Sequence, residues 1–194
     1  MRHTADNAAY EAARHAIATF KTISGDTARR SIIDNTKCAN CHEWFEGHGG
    51  NRVYTYEVCV MCHVPNLTSS GRAAAPATVL ARLDIADAEQ GNPAGTSAAK
   101  LTADGYNPAD PSTFPEETMN MKNLIHGIHS AGKRIFDESP DFRFVRDRGT
   151  SGVFYYNMKE VTFPGVLNKC ETCHKTGSAG GYDVELPVGV LDTT

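Results

Sequence analysis

Apolar positions along the chain fall into two helical runs, a few strand-like runs and a long stretch without period. Over residues 5–24, Ala9, Ala12, Ala13, Ala16, Ile17, Phe20 and Ile23 recur at short helical intervals; Asp6 stands near the start and Gly25 follows the end. That pattern predicts an amphipathic helix. A second helix is expected to open at Thr113-Phe114-Pro115-Glu116, a capping box with an early proline, and to run to about Ala131 before Gly132. Arg52 to Val58 reads as a strand. Val153-Phe154-Tyr155-Tyr156 and Glu160-Val161-Thr162-Phe163 predict a hairpin, which Pro164-Gly165 breaks. Residues 67–115 are poor in aromatics and rich in Ala, Gly, Pro and Ser. They predict one helix, about Thr78 to Gln90, within an irregular arm or, alternatively, a flexible linker. The tail from Gly177 to Thr194 reads as extended and cut short. The fold class expected is mainly α with extensive loop and a short β-hairpin.

Composition adds bounds. The 194 residues suit a single domain, and 40% apolar residues is thin for a compact core. The formal net charge of −4 argues against nucleic acid as a partner. No stretch approaches the ~20 apolar residues of a membrane span, and Met1 to Tyr10 is not a signal peptide.

The chemistry lies in six cysteines. Cys38-Ala-Asn-Cys41-His42, Cys59-Val-Met-Cys62-His63 and Cys170-Glu-Thr-Cys173-His174 are all C-x-x-C-H, the attachment signature of haem c. Two thiols form thioethers with the porphyrin, and the adjacent histidine becomes the proximal iron ligand. Zinc is the competing reading, since 17 residues separate the first two pairs. It leaves Cys170/Cys173 without a partner pair and gives the histidines no role. With 8 histidines in 194 residues, three such coincidences have a chance of roughly one in ten thousand. A dithiol of thioredoxin type would want a βαβ pattern, and none is visible. Three covalently bound haems c are therefore expected, and no disulfide. They supply the apolar bulk that the composition lacks and, with ionised propionates, make the holoprotein more acidic. Thioether attachment is completed after export, so a leader has been removed or the chain is a fragment.

His42, His63 and His174 are thus expected as proximal ligands, and five histidines remain. His126 and His129, three apart on the second helix, share a face with Leu124, Ile125 and Ile128, with Gly127 allowing close approach. They are expected inside, as distal ligands. His48, within Glu46-Gly47-His48-Gly49-Gly50-Asn51, is the third distal candidate. His15 is the reserve, and His3 belongs to the tail. Three proximal and three distal histidines fill every iron. Filled irons favour an electron carrier over an enzyme; a reductase with one open iron is the alternative. Bis-histidine ligation implies low potentials. Arg143, Arg146 and Arg148 are candidates to pair with propionates or to lie in a solvated loop. Tyr54, Tyr56, Tyr155 and Tyr156 suit porphyrin edges or strand packing, and Trp44 a cover over the first haem.

Taken together, His48-Gly49-Gly50, the Cys59–His63 site, Met121-Lys122-Asn123-Leu124-Ile125-His126-Gly127-Ile128-His129, and Phe163-Pro164-Gly165-Val166-Leu167-Asn168-Lys169 before Cys170 resemble the outer-membrane decahaem cytochromes of metal-reducing bacteria (the OmcA/MtrC family). The resemblance covers about residues 35–193 and implies part of a pentahaem domain. It implies a cell-surface or outer-membrane location, with the periplasm as the other exported compartment. Implied partners are other multihaem cytochromes or redox proteins, metal oxides, soluble metal ions and flavins, in anaerobic respiration. It also places His48, His126 and His129 at distal positions. Only three of the five haem sites of such a domain are present, and neither flanking β-barrel. One tri-haem domain, 1–194, is expected, made of the helix 5–24, a two-haem segment 36–66, the arm 67–115, and the distal-ligand helix with the third haem site, 116–194.

Overall fold

The computed structural model describes residues 32–42, 46–48, 52–53, 55–133 and 142–176, together with Thr19, Lys21 and Gly25. The expected helix 5–24, with His3 and His15, the residues Trp44 and Tyr54, and the tail from Gly177 lie outside the described residues. The chain divides into two compact units, Met1–His63 with Val166–Thr194, and Val64–Gly165.

The second unit holds two helices and a hairpin around an apolar core. Helix α3, Val79–Glu89, lies where the sequence predicts it. It buries Val79, Leu83, Ala86 and Asp87, the i, i+4, i+7, i+8 face of an amphipathic helix. The hairpin pairs β3, Arg143–Asp147, with β4, Val153–Asn157, antiparallel with Val145 opposite Tyr155. The partner of β4 is therefore not 160–163, as the sequence pattern predicts. The charges of Arg143, Arg146 and Asp147 mask a strand whose Phe144 and Val145 are both buried. The hairpin loop returns at Gly152, at a φ of 114°, where a Cβ would stand 3.0 Å from the α3 backbone at Arg82 and Ala86. Glycine there lets strand and helix touch.

Residues 67–115 are the larger correction. They are no irregular arm: Ala74, Val79, Leu83, Leu101 and Phe114 join Val145, Val153 and Tyr155 in one core cluster. A helix the sequence reading lacks, α4 (Thr96–Ala103), contributes Leu101. Its start is capped from α3: the Gly95 and Ser97 amides donate to the carboxylates of Asp84 and Asp87. A cap supplied ten residues upstream leaves no local signal.

Helix α5, Met121–Ser130, starts later than the capping box at Thr113 predicts. Asn120, buried, caps it by accepting from the Asn123 amide at 2.9 Å. Thr113 instead closes a 3-10 turn, Pro111–Thr113, by donating to the Asp110 carbonyl at 2.8 Å. Leu124 and Ile128 of α5 pack on a second cluster of Ala131, Phe142 and Phe144.

In the first unit, α1 spans Asn35–Cys38, two strands of two residues each, β1 (Glu46–Gly47) and β2 (Arg52–Val53), pair antiparallel, and α2 spans Tyr56–Cys59. The strand expected over 52–58 ends at Val53. From Tyr56 the chain already coils into the turn that carries the second cysteine pair.

Candidate functional site

Each C-x-x-C-H motif folds into the same turn. The second cysteine donates its amide to the carbonyl of the first, at 3.2 Å in Cys41→Cys38, 3.1 Å in Cys62→Cys59 and 3.2 Å in Cys173→Cys170. The following histidine donates to that same carbonyl at 2.9 Å in all three. Two residue types at fixed spacing thus produce one local geometry three times. The six cysteines form no disulfide with one another. Burial, and then the nearby Cys173, push the Cys38 thiol above its ordinary value; burial and Cys41 do the same for Cys173.

Hydrogen bonds bring the three turns together. Ile33 and His174 form an antiparallel bridge. The Asp34 amide donates to the Cys173 carbonyl at 3.0 Å, and the Lys175 amide to Ile32 at 2.9 Å. The Lys37 ammonium donates to the carbonyls of Glu171, 2.8 Å away, and His174, 2.6 Å away. The second turn joins through Asn35, whose side-chain oxygen accepts from the Tyr56 amide and whose amide donates to Glu57, both at 2.9 Å. Thr55, the N-cap of α2, makes no side-chain cap bond. Asn35 does the capping from 21 residues away.

These residues fit haem c. Large apolar side chains stand exposed at the turns: Met61, between Cys59 and Cys62, is 61% exposed, and Val166, before the third site, 62%. A porphyrin is an apolar plate of the kind that would cover them. His48, held at a φ of 53° in its glycine loop, puts its ring centroid 6.0 Å from that of His63. Two imidazoles on one metal ion, each nitrogen about 2.0–2.1 Å from it, have centroids about 6 Å apart. Among the described residues, no three His, Cys, Asp or Glu side chains gather to hold a metal ion directly, so the first two cysteine pairs form no such group.

His126 and His129 lie on α5, in the other unit. His126 is exposed and His129 half-buried, so the expectation that both point inward is corrected. Gly127 is also reinterpreted, since a methyl there would overlap the Phe142 ring and its closeness serves packing within the unit. His129 Nδ1 lies 2.8 Å from the Ile125 carbonyl. A carbonyl only accepts, so Nδ1 is the donor in this contact. The Phe163 ring packs edge-on against it at 5.7 Å.

Two of the arginines are engaged within the protein. Arg143 pairs with Asp104 at 3.4 Å, and Arg148 with Glu89 at 3.4 Å over the Phe154 ring; Arg146 is exposed. They belong to β3 and its turn, not to a loop. Tyr155 is buried and donates to Asp104, and Tyr156 stacks on Phe144 at 5.0 Å. Among the described residues no helix is long and apolar enough to cross a membrane.

A family model described as "Outer membrane cytochrome MtrC/MtrF-like, domains II/IV" matches residues 30–186. No curated protein and no solved structure matches the chain.

Proposed function

The chain belongs to the outer membrane cytochrome MtrC/MtrF-like family, domains II/IV, and from that premise we propose that it is a tri-haem electron-relay module of a cell-surface cytochrome. When bound, each haem c supplies an iron that holds or releases one electron. The protein's part is to hold and tune. Cys38/Cys41, Cys59/Cys62 and Cys170/Cys173 fix the porphyrins by thioethers, and His42, His63 and His174 ligate from the proximal side. His48, His126 and His129 are the distal ligands. Imidazoles on both faces leave no open position, so the geometry changes little on reduction and the module carries electrons rather than performing catalysis. Partners of this chemistry are other multihaem cytochromes or redox proteins, and at the surface metal oxides, metal ions or flavins in anaerobic respiration.

The observation that carries the reading is the threefold repetition of one C-x-x-C-H turn in a chain of a cytochrome family. The His48–His63 spacing of 6.0 Å supports bis-histidine ligation at the second site. The test is a mass measurement with a pyridine haemochrome count. Three haems that survive acid–acetone extraction, all low-spin, are expected. Fewer haems overturn the count. A high-spin ferric band, or a spectral change with cyanide, nitrite or CO, overturns the filled-iron relay in favour of a reductase.

A further inference from the structure

Lys37 sits one residue before Cys38, yet its ammonium serves the third motif. It donates to the carbonyls of Glu171 and His174, 134 and 137 residues away. These carbonyls lie at the C-terminal end of the Cys170–Thr172 turn, where a cation satisfies unpaired acceptors and opposes the peptide dipoles. The lysine is half-buried, so its charge is less screened than at an open surface. Backbone bonds flank it: the Asp34 amide on the Cys173 carbonyl, and the Ile33–His174 bridge. The segment that leads into the first motif is therefore hydrogen-bonded directly to the third. The second motif is joined elsewhere, through Asn35.

We propose that Lys37 is a positioning residue that couples the haems of the Cys38–His42 and Cys170–His174 motifs into one redox pair, by tying their turns together and placing one positive charge beside both. The inference rests on the tri-haem reading. Transfer within the pair moves one electron from a ferrous to a ferric iron; no bond forms or breaks and no proton moves. A cation near an iron favours the ferrous state, so Lys37 holds both potentials up.

The experiment is a potentiometric titration of the full holoprotein, with individual haems followed by paramagnetically shifted methyl resonances. Lys37→Met should lower the potentials of the first and third haems together and leave the second in place. Lys37→Arg should restore them. Hydrogen exchange should quicken at the Asp34 and Lys175 amides in the Met variant. Loss of haem from the first and third motifs together, with the second retained, also supports the clamp. A shift at one haem only, an equal shift at all three, or no shift overturns it. Fewer than three haems in the unsubstituted protein overturns the tri-haem reading itself, a distinct result.

Discussion

At the scale of single residues, the cysteine pairs and their histidines stand out because thioether chemistry would demand those types at that spacing, and each of the three motifs folds into the same turn. His48 stands out in the sequence by its glycine neighbours, and it takes a φ of 53°, in the left-handed region. What sequence could not show is which side chain each residue meets. Gly127 looked like room for a cofactor, and it is room for Phe142. Gly127→Ala should therefore cost about 1–3 kcal/mol by overpacking. Denaturant unfolding followed by circular dichroism measures it, and the cost should shrink in a Phe142→Leu background. No change in that cycle would mean that Phe142 is not what excludes the methyl. His48→Ala should leave the three haems attached and turn one of them high-spin, seen in the ferric visible and electron paramagnetic resonance spectra. Three low-spin haems would move the third distal role to His15, the reserve on the expected N-terminal helix.

At the scale of elements, period was informative where one helix face is buried and silent where a neighbour supplies the stabilising group. Helix α3 was legible for the first reason, and α4 was missed for the second. Asp87, fully buried, accepts from the Ser97 amide and from the Ser97 hydroxyl, 2.5 Å away. Asp87→Ala should cost about 1–3 kcal/mol by stranding those donors, and Asp84→Ala, with its exposed bond to Gly95, about 0.5–2 kcal/mol. Equal, negligible losses in thermal melts would show that α4 needs no tertiary cap. The hairpin brings a pH dependence. Burial pushes the Tyr155 hydroxyl well above its ordinary value, and its bond to Asp104 adds to that. Burial opposes ionisation of Asp104, but hydrogen bonds from Tyr155 and Asn157 and the Arg143 charge outweigh it and hold the carboxyl low. A lowered carboxyl contributes stability above its unfolded value of about 3.9, lost as pH falls through the folded value. A raised tyrosine contributes stability below about pH 10, lost as pH rises toward its folded value. Stability of the unit should be flat between these limits and fall outside them. In Tyr155→Phe the alkaline fall should flatten, and an unchanged alkaline limb would assign it to other groups.

At the scale of the whole molecule, the two units are stabilised by different means. Among the described residues, Val58 is the one buried apolar side chain of the unit that carries the three C-x-x-C-H turns; the rest, from Ala74 to Tyr155, belong to Val64–Gly165. The second unit can therefore offset its chain entropy with its own core. Leu83, Leu101 and Phe114, all fully buried, each contribute about 1.5–3 kcal/mol. The first unit holds its turns by a lattice of hydrogen bonds, each worth only about 0.5–1.5 kcal/mol net. Its apolar Met61, Val166 and Leu167 face outward at the attachment turns. The thin apolar fraction of the sequence is thus unevenly spent, and the deficit falls where porphyrin would be added. Replacing all six cysteines by alanine should then unfold one unit and spare the other. In hydrogen exchange read by mass spectrometry, residues 71–133 and 142–160 should keep their protection, while 32–42, 55–63 and 166–176 lose theirs. The near-ultraviolet signal of buried Tyr155 should persist. Protection lost across both units would mean that the core around Leu83 and Phe114 does not stand without haem. Protection kept in both would mean that the hydrogen-bonded turns need none.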